Sequence, residues 1–407
     1  MPPKAPKITV NCSECKTPFN TRPLELGQSQ PLVIPPGLDI EAVNKLHLQY
    51  AAAQQRHTVW TELCPTCAAR RTKRDVKDEQ GKFKAAIAKR WSEILVNPAK
   101  LNQDCFGICG FSSCLYVLLK HTNRTKAIEL YKATFADVIP GFVGQQFTPA
   151  EGAPQSINFE YLARKYYASE IGAGYGTTLF FVDYCVSRAI GYLLKKLDQA
   201  RYQAEKTEFN KEWGFPSPSS VGPPDYHAFT RAGNLAARSN NLAYVLTKIL
   251  GAQGVCVWRK SGATADTLAP PVGGVPVKQF GTADGFLQIM KDNAAIPHSF
   301  AIVAVLANSG PGQEFPGPGL AEEIHAPSRG DSGKSGAALK YNHWVVIEST
   351  QRILANVSVG PQTSLKAKTC QDEHIKMKIW TWADLYEPTI CKKNTLSYIQ
   401  DVVTGHF

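Results

Sequence analysis

The chain has 407 residues, an apolar fraction of 43% and a formal net charge of +11. This length allows two or three domains, and the apolar fraction is that of a globular protein with a core. The positive charge favours acidic partners or anionic surfaces and carries no information about the fold. The 11 cysteines are an odd number in a long chain, which argues against a disulfide scaffold.

The first residues contain lysines and prolines but no apolar stretch of the kind that a signal peptide needs. The most apolar segment, residues 177–194, is interrupted by Asp183 and Arg188. We therefore predict that it is a buried helix and that the chain has no membrane span. We expect a cytoplasmic protein, or one that is secreted by a route that needs no signal peptide.

Residues 1–80 are interpreted as a separate zinc-binding module. They contain two Cys-x-x-Cys pairs, Cys12 with Cys15 and Cys64 with Cys67. Two such pairs can supply four thiolates to one tetrahedral zinc ion, and a site filled by four protein ligands is structural. The interval between the pairs exceeds that of a simple zinc ribbon, so an inserted helix is expected. Two disulfides or free thiols are the alternatives.

A basic run at residues 70–74 follows the second pair and contains Arg70, Arg71, Lys73 and Arg74. Basic residues beside a zinc knuckle can bind nucleic acid. No interleaved aromatic residues accompany them, so a solvated connector is the favoured interpretation.

Residues 81–407 divide by pattern into a helical half (81–250) and a strand-rich half (251–407). Apolar residues at helical spacing predict helices, over 81–95, 110–121, 123–138, 158–170 and 234–250. Apolar runs and an alternating segment predict strands, over 254–259, 300–307, 344–349, 352–359 and 374–382. Helices followed by strands predict an α+β region whose two halves meet at a cleft.

Cys109 is the strongest candidate for a nucleophile. It follows a glycine-containing turn and opens an apolar helical pattern, so we predict that it lies at a helix N-terminus. The free N–H groups there favour the thiolate, which is the attacking form of cysteine. Gln103, six residues earlier, could donate an amide hydrogen to an oxyanion. Cys105 precedes the turn and Cys114 falls within the helix, so both are weaker candidates.

These residues resemble the nucleophile motif of the papain-like cysteine peptidases. That motif has an Asn-Gln pair, a glycine two residues before the nucleophile, and a cysteine that opens a long helix. Asn102, Gln103, Gly107 and Cys109 match it with the same spacing. The resemblance implies that Cys109 attacks a carbonyl group and that Gln103 builds the oxyanion hole. Gly110 departs from the pattern, since many members have an aromatic residue there.

His343 supplies the second part of the resemblance, because it opens an apolar strand within Asn-His-Trp-Val-Val, as the family's general base does. The third motif, Asn-Ser-Trp, has only a partial counterpart. Trp380 occupies the Asn position, and an indole cannot accept a hydrogen bond from histidine. The prediction is a dyad of Cys109 and His343 with an unassigned third member. Residues that could orient the imidazole are Thr381, Asp384, Asn356 and Glu348.

The resemblance implies a papain-like α+β fold, in which a helical half with the cysteine packs on an antiparallel sheet with the histidine. It also implies a thiol hydrolase or transferase that acts on an amide bond of a peptide or of a glutamine side chain. Peptide hydrolysis, deamidation, transglutamination and cell-wall amide cleavage all use this chemistry, and the motifs do not choose among them. The long insertions are more similar to bacterial effectors and toxins than to digestive peptidases.

Two alternatives stay open. One is a zinc-ribbon protein that binds nucleic acid or another protein and whose papain-like half is a non-catalytic scaffold. The other is a peptidoglycan amidase that uses the same pair of residues. The first alternative predicts that residues 1–80 bind the partner. The second alternative predicts that the protein releases soluble fragments from cell walls.

Overall fold

The structure is a computed structural model. It describes residues 8–11, 15–21, 82–102, 108–121, 124–162, 181–202, 238–262, 271–305, 343–353, 372–381 and 384–407. Cys12, Cys64, Cys67, Gln103 and the basic run 70–74 lie outside the described residues. The division of the chain at residue 80 stays a prediction.

A short antiparallel hairpin precedes the predicted catalytic region. Strand β1 (Ile8–Asn11) pairs with β2 (Pro18–Thr21), and Asn11 lies opposite Pro18. In the sequence, the first Cys-x-x-Cys pair lies between these two strands. Of that pair, the structure describes Cys15, which is exposed.

Between residues 82 and 250 the described elements are helical. They are α1 (Lys82–Val96), α2 (Cys109–Lys120), α3 (Arg124–Thr134), α4 (Phe181–Leu197) and α5 (Ser239–Tyr244), which continues as a π-helical segment (Val245–Leu250). The helices predicted at 81–95 and 110–121 are confirmed. The helix predicted at 123–138 ends at Thr134, and the one predicted at 234–250 is confirmed over its described part, from Ser239 to Leu250. Helix α4 confirms the predicted buried helix, and its Asp183 and Arg188 are both buried. Among the described helices, none combines the length and apolarity that a membrane crossing requires.

The strands of the second half form one sheet. Its described members are β3 (Gln253–Lys260), β4 (Val277–Phe280), β5 (Ser299–Val305), β6 (His343–Ile353), β7 (His374–Thr381), β8 (Asp384–Tyr386), β9 (Thr389–Cys391) and β10 (Ile399–His406). Their order is β4-β3-β10-β5-β6-β7-β8, and β9 also pairs with β7. Helix α6 (Ala283–Ala294) and the short α7 (Thr395–Tyr398) are the described α-helices of this half.

The sheet is mixed, which corrects the prediction of an antiparallel sheet. Strands β3 and β4 pair in parallel, with Val257 opposite Val277, and the other described pairings are antiparallel. Parallel neighbours cannot be joined by a tight turn, which is consistent with the long interval of sequence, 261–276, between β3 and β4. The α+β class itself is confirmed.

The two faces of the sheet contact different layers. Side chains that alternate along the strands, such as Trp344, Val346 and Trp380, belong to the larger core with the helices. The intervening side chains, such as Val345 and Ile379, belong to a second core that α6 covers through Phe286. The alternation predicted for β7 is confirmed, because its isoleucines and methionine are buried and its lysines are half-buried. The sheet thus lies between a helical layer and α6.

Candidate active site

Helix α2 begins at Cys109, as the sequence predicts, and its N-terminal end reaches strand β6. Ile108 precedes the helix without a side-chain cap, so no side chain of that residue competes for the first N–H groups. The Cys109 thiol instead interacts with backbone N–H groups, foremost that of Trp344. Trp344 directly follows His343 in β6, so the structure brings the predicted nucleophile to the backbone of the predicted base.

Burial controls the protonation of the thiol. It raises the pKa of Cys109 to about 11, and the N–H groups of Trp344 and Gly110 offset only part of this shift. Desolvation therefore outweighs the helix N-terminus, and the thiol is the resting form at neutral pH. Cys114 lies on the buried face of α2, where burial also raises its pKa. Cys105 lies outside the described residues.

His343 is the first residue of β6, and only 5% of it is exposed. Burial lowers the pKa of its imidazole to about 3, so the ring is neutral at physiological pH. Its Nε2 lies 2.5 Å from Oγ1 of Thr381, the last residue of β7. When the threonine hydroxyl accepts a hydrogen bond from Nε2–H, the lone pair of the neutral ring is on Nδ1. That nitrogen can then accept a proton.

Thr381 is thus the one of the four candidate third members that the structure places against His343. Glu348 is engaged elsewhere, because its carboxylate accepts from Tyr116 and pairs with Lys120. Asn356 and the side chain of Asp384 lie outside what the structure describes. A threonine hydroxyl can hold one imidazole nitrogen, but it adds no negative charge to the site.

Among the described contacts, no hydrogen bond joins the Cys109 thiol to the His343 ring. Side chains alternate between the two faces of the sheet. His343 and Thr381 therefore share the face of Val345, whereas Trp344 is on the opposite face, which packs against the helices. Proton transfer between the two residues therefore needs a rotamer change or a bridging water. Catalytic hydrogen bonds are often long before a substrate binds, so this geometry is compatible with a dyad.

Trp380, which stands where the papain-like motif has an asparagine, links β7 to α2 and to the loop after α1. Its ring stacks on Tyr116 of α2 at a centroid distance of 4.2 Å, and its Nε1 donates to the carbonyl of Ala99 at 3.1 Å. Strand β7 therefore contains Thr381 and also contacts, through Trp380, the loop that precedes Gln103 in the sequence. Gln103 itself is not among the described residues.

Helix α4 fixes α2 from the other side. Ser112 and Ser187 share a hydrogen bond of 3.1 Å between the two helices. Gly191 packs so closely on Phe111 that an added Cβ would lie 2.5 Å from the ring. Phe111 is two residues after Cys109, so this contact sets the position of the helix start.

Asp183 is a site residue that the sequence analysis did not identify as one. It is fully buried in α4, where it pairs with Arg90 and accepts from the N–H of Asn102. The sequence did contain a signal, since a lone carboxylate in an apolar helix must find a partner. Its partners are distant in sequence, so the pattern alone could not name them.

The zinc prediction falls mostly on residues that the structure does not describe. Cys15 is exposed in the β1–β2 loop, and the other three predicted ligands, Cys12, Cys64 and Cys67, lie outside the described residues. Within the described ranges, no cluster of three or more His, Cys, Asp or Glu side chains could hold a metal ion. Cys391, in β9, is disulfide-bonded.

Comparisons with family models, with curated proteins and with solved structures give no match for this chain. The assignment of a function therefore depends on the residues and geometry of the site.

Proposed function

We propose that the protein is a papain-like thiol hydrolase or transferase that acts on an amide bond through Cys109 and His343. One observation carries the proposal. The thiol at the start of α2 interacts with the N–H of Trp344, and the preceding residue, His343, has a ring that is hydrogen-bonded to Thr381. A thiol at a helix N-terminus, a histidine one residue away from the thiol's backbone partner, and a hydroxyl that orients the histidine ring are parts from which nucleophilic catalysis can be built.

The resting pair is a neutral thiol and a neutral imidazole, because burial raises the pKa of Cys109 and lowers that of His343. Proton transfer therefore accompanies the attack. The His343 Nδ1 takes the proton from Sγ, and Sγ forms a bond to the carbonyl carbon of the substrate. The carbonyl oxygen becomes an oxyanion, which the Gln103 amide and the backbone N–H of Cys109 stabilise.

The intermediate then collapses to a thioester at Cys109. His343 gives its proton to the leaving amine or ammonia as the carbon–nitrogen bond breaks, while Thr381 holds Nε2 of the ring. A water molecule or an amine next loses a proton to His343 and attacks the thioester. Sγ leaves and takes up that proton, which regenerates the thiol. Water gives hydrolysis, and an amine gives transfer.

The first experiment measures acylation at Cys109. The full chain is incubated with p-nitrophenyl acetate, and peptide mass spectrometry locates the acetyl group. We expect acetylation of Cys109 at neutral pH, which falls about a hundredfold in His343→Gln. Cys256→Ser is the matched control, since Cys256 lies in β3 and has no part in the proposed site. Equal labelling at several cysteines, or labelling of Cys109 that His343→Gln leaves unchanged, would contradict the proposal.

The second experiment finds the class of substrate. A mixture of peptides is tested for new termini, for ammonia release from glutamine, and for cross-linking to an added amine, and purified cell walls are tested for soluble fragments. Cys109→Ala is the control in each assay. Fragments released only from cell walls would identify the peptidoglycan amidase, and new peptide termini would identify a peptidase.

A nucleic-acid-binding protein with a zinc module is the proposal of a different class. The net charge of +11 is the observation that favours it. The full chain should then be retained on immobilised RNA or DNA at low salt and released as salt rises. Replacement of Arg70 and Arg71 by glutamine should weaken that retention, whereas Cys109→Ala should leave it unchanged.

A further inference from the structure

An ion pair between the half-buried Arg90 and the buried Asp183 connects α1 and α4 beside the proposed site. Asp183 is 0% exposed, and Arg90 donates to both of its carboxylate oxygens, from Nε at 2.8 Å and from Nη2 at 2.7 Å. This bidentate geometry fixes both side chains. Asp183 is one of the two charged residues that interrupt the most apolar segment of the sequence.

The same two side chains also hold the loop after α1. Asp183 Oδ2 accepts from the backbone N–H of Asn102 at 2.8 Å, and Arg90 Nη2 donates to the carbonyl of Lys100 at 2.7 Å. The pair therefore anchors the backbone at two points, the second of them one residue before Gln103. From the sheet side, Trp380 holds the carbonyl of Ala99.

Stability alone is a weak reason for such a pair. Burial raises the pKa of Asp183 against the opposing effect of Arg90, so desolvation is costly here. Buried ion pairs often contribute no more stability than apolar residues of the same size. What apolar residues could not replace is the pair of hydrogen bonds to the backbone of the loop, which fix its position.

We infer that Arg90 and Asp183 are positioning residues that act by holding the loop backbone at Lys100 and Asn102. Gln103, the residue proposed to bind the oxyanion, directly follows this anchored backbone in the sequence. The inference rests on the proposed function, and it assigns a role to two side chains that touch neither the substrate nor the reacting atoms.

Two reactions of Cys109 separate this role from a merely structural one. Alkylation by iodoacetamide displaces iodide and forms no oxyanion, whereas acylation by p-nitrophenyl acetate forms one. In Asp183→Asn, an NH2 group replaces one of the two carboxylate oxygens. Each of these oxygens accepts a hydrogen bond from Arg90 or Asn102, so the NH2 group faces a donor in either orientation of the amide. We expect acylation to fall about a hundredfold and alkylation to change less than about threefold.

Ser187→Ala is the matched control, because it removes a hydrogen bond between α4 and α2 without touching the loop. It should leave the ratio of acylation to alkylation unchanged. Arg90→Lys is a second variant in case Asp183→Asn does not fold, and it should lower the same ratio because lysine cannot make all of the contacts of the guanidinium group.

The outcomes are distinguishable. A wild-type chain that is not acylated at Cys109 overturns the proposed function. A wild-type chain that is acylated, with variants in which the ratio stays constant, overturns the positioning role alone. A parallel fall of acylation and alkylation also overturns it, since that result indicates a general loss of structure.

Discussion

The ring Nε2 of His343 lies 2.5 Å from Oγ1 of Thr381, across the neighbouring strands β6 and β7. The register of these strands, with Val346 opposite Trp380, brings the start of one to the end of the other. A hydroxyl thus contacts the ring where the resemblance to papain-like enzymes predicts an asparagine amide. It holds one nitrogen of the ring and leaves the other for the base that the proposed mechanism needs.

Thr381→Val tests this hydrogen bond, because valine keeps the shape of threonine and removes the hydroxyl. The buried Nε2 loses this partner, which should lower the free energy of unfolding by about 1–3 kcal/mol. Acylation of Cys109 should fall about tenfold because the ring is no longer oriented. Thr381→Ser keeps the hydroxyl and should stay close to the wild type. Chemical denaturation and the nitrophenol release rate measure the two effects, and equal behaviour of the valine and serine variants would contradict the orienting role.

His343 should make the protein less stable in acid. Burial lowers the pKa of its ring from 6.5 to about 3, so between these values the unfolded chain binds a proton that the folded chain does not. The free energy of unfolding must then fall as the pH decreases from about 6.5 toward 3. His343→Gln removes this contribution, and its denaturation midpoint should depend less on pH over that range. An identical pH dependence in both proteins would show that the folded-state imidazole titrates normally.

Cys109 should react slowly at neutral pH and faster in alkali. Burial raises the pKa of its thiol to about 11, and the thiolate is the reactive form. Alkylation by iodoacetamide should therefore increase about tenfold for each pH unit below that value. Peptide mass spectrometry at several pH values gives the profile. A plateau already at pH 7 would indicate a preformed thiolate–imidazolium pair instead of the proposed neutral pair.

Gly191→Ala should destabilise the contact between α4 and α2. The added Cβ would lie 2.5 Å from the ring of Phe111, so the helices must separate, at a cost of about 1–3 kcal/mol. Gly141→Ala is the control, because nothing lies within 4 Å of its Cβ position. Urea denaturation compares the two variants. A loss of stability that is the same in both would place the effect in the backbone and not in the helix contact.

The Cys-x-x-Cys pairs should hold about one zinc ion per chain, as four thiolates do in structural sites. Cys64→Ser should release it, and so should a reagent that modifies thiols. A chromogenic chelator measures the released metal. Cys256→Ser is the control and should retain the zinc. A purified chain without zinc whose Cys12 and Cys15 form a disulfide would support the alternative.

Individual helices and strands can be predicted from the sequence because each is specified by a pattern of apolar residues within a short segment. Apolar residues at helical spacing locate α1 and α2, and the alternation of isoleucine and lysine locates β7. The start of a helix at Cys109 is predictable for the same reason, since a turn and an apolar helical pattern meet there. Strand β10 was not predicted, because Gln400, Asp401 and Thr404 interrupt its apolar pattern although the fold buries them.

The tertiary structure alone decides which distant residues meet and how far each group is desolvated. It selects Thr381 over Glu348 as the partner of His343, because strand register brings the hydroxyl to the ring and Tyr116 and Lys120 engage the carboxylate. It joins Asp183 to Asn102 across a long interval of sequence. It also sets the pKa values of Cys109 and His343, since burial depends on every layer of the fold. The sequence by itself indicated which residues are candidates for the proposed chemistry, and packing decided their protonation states and their contacts.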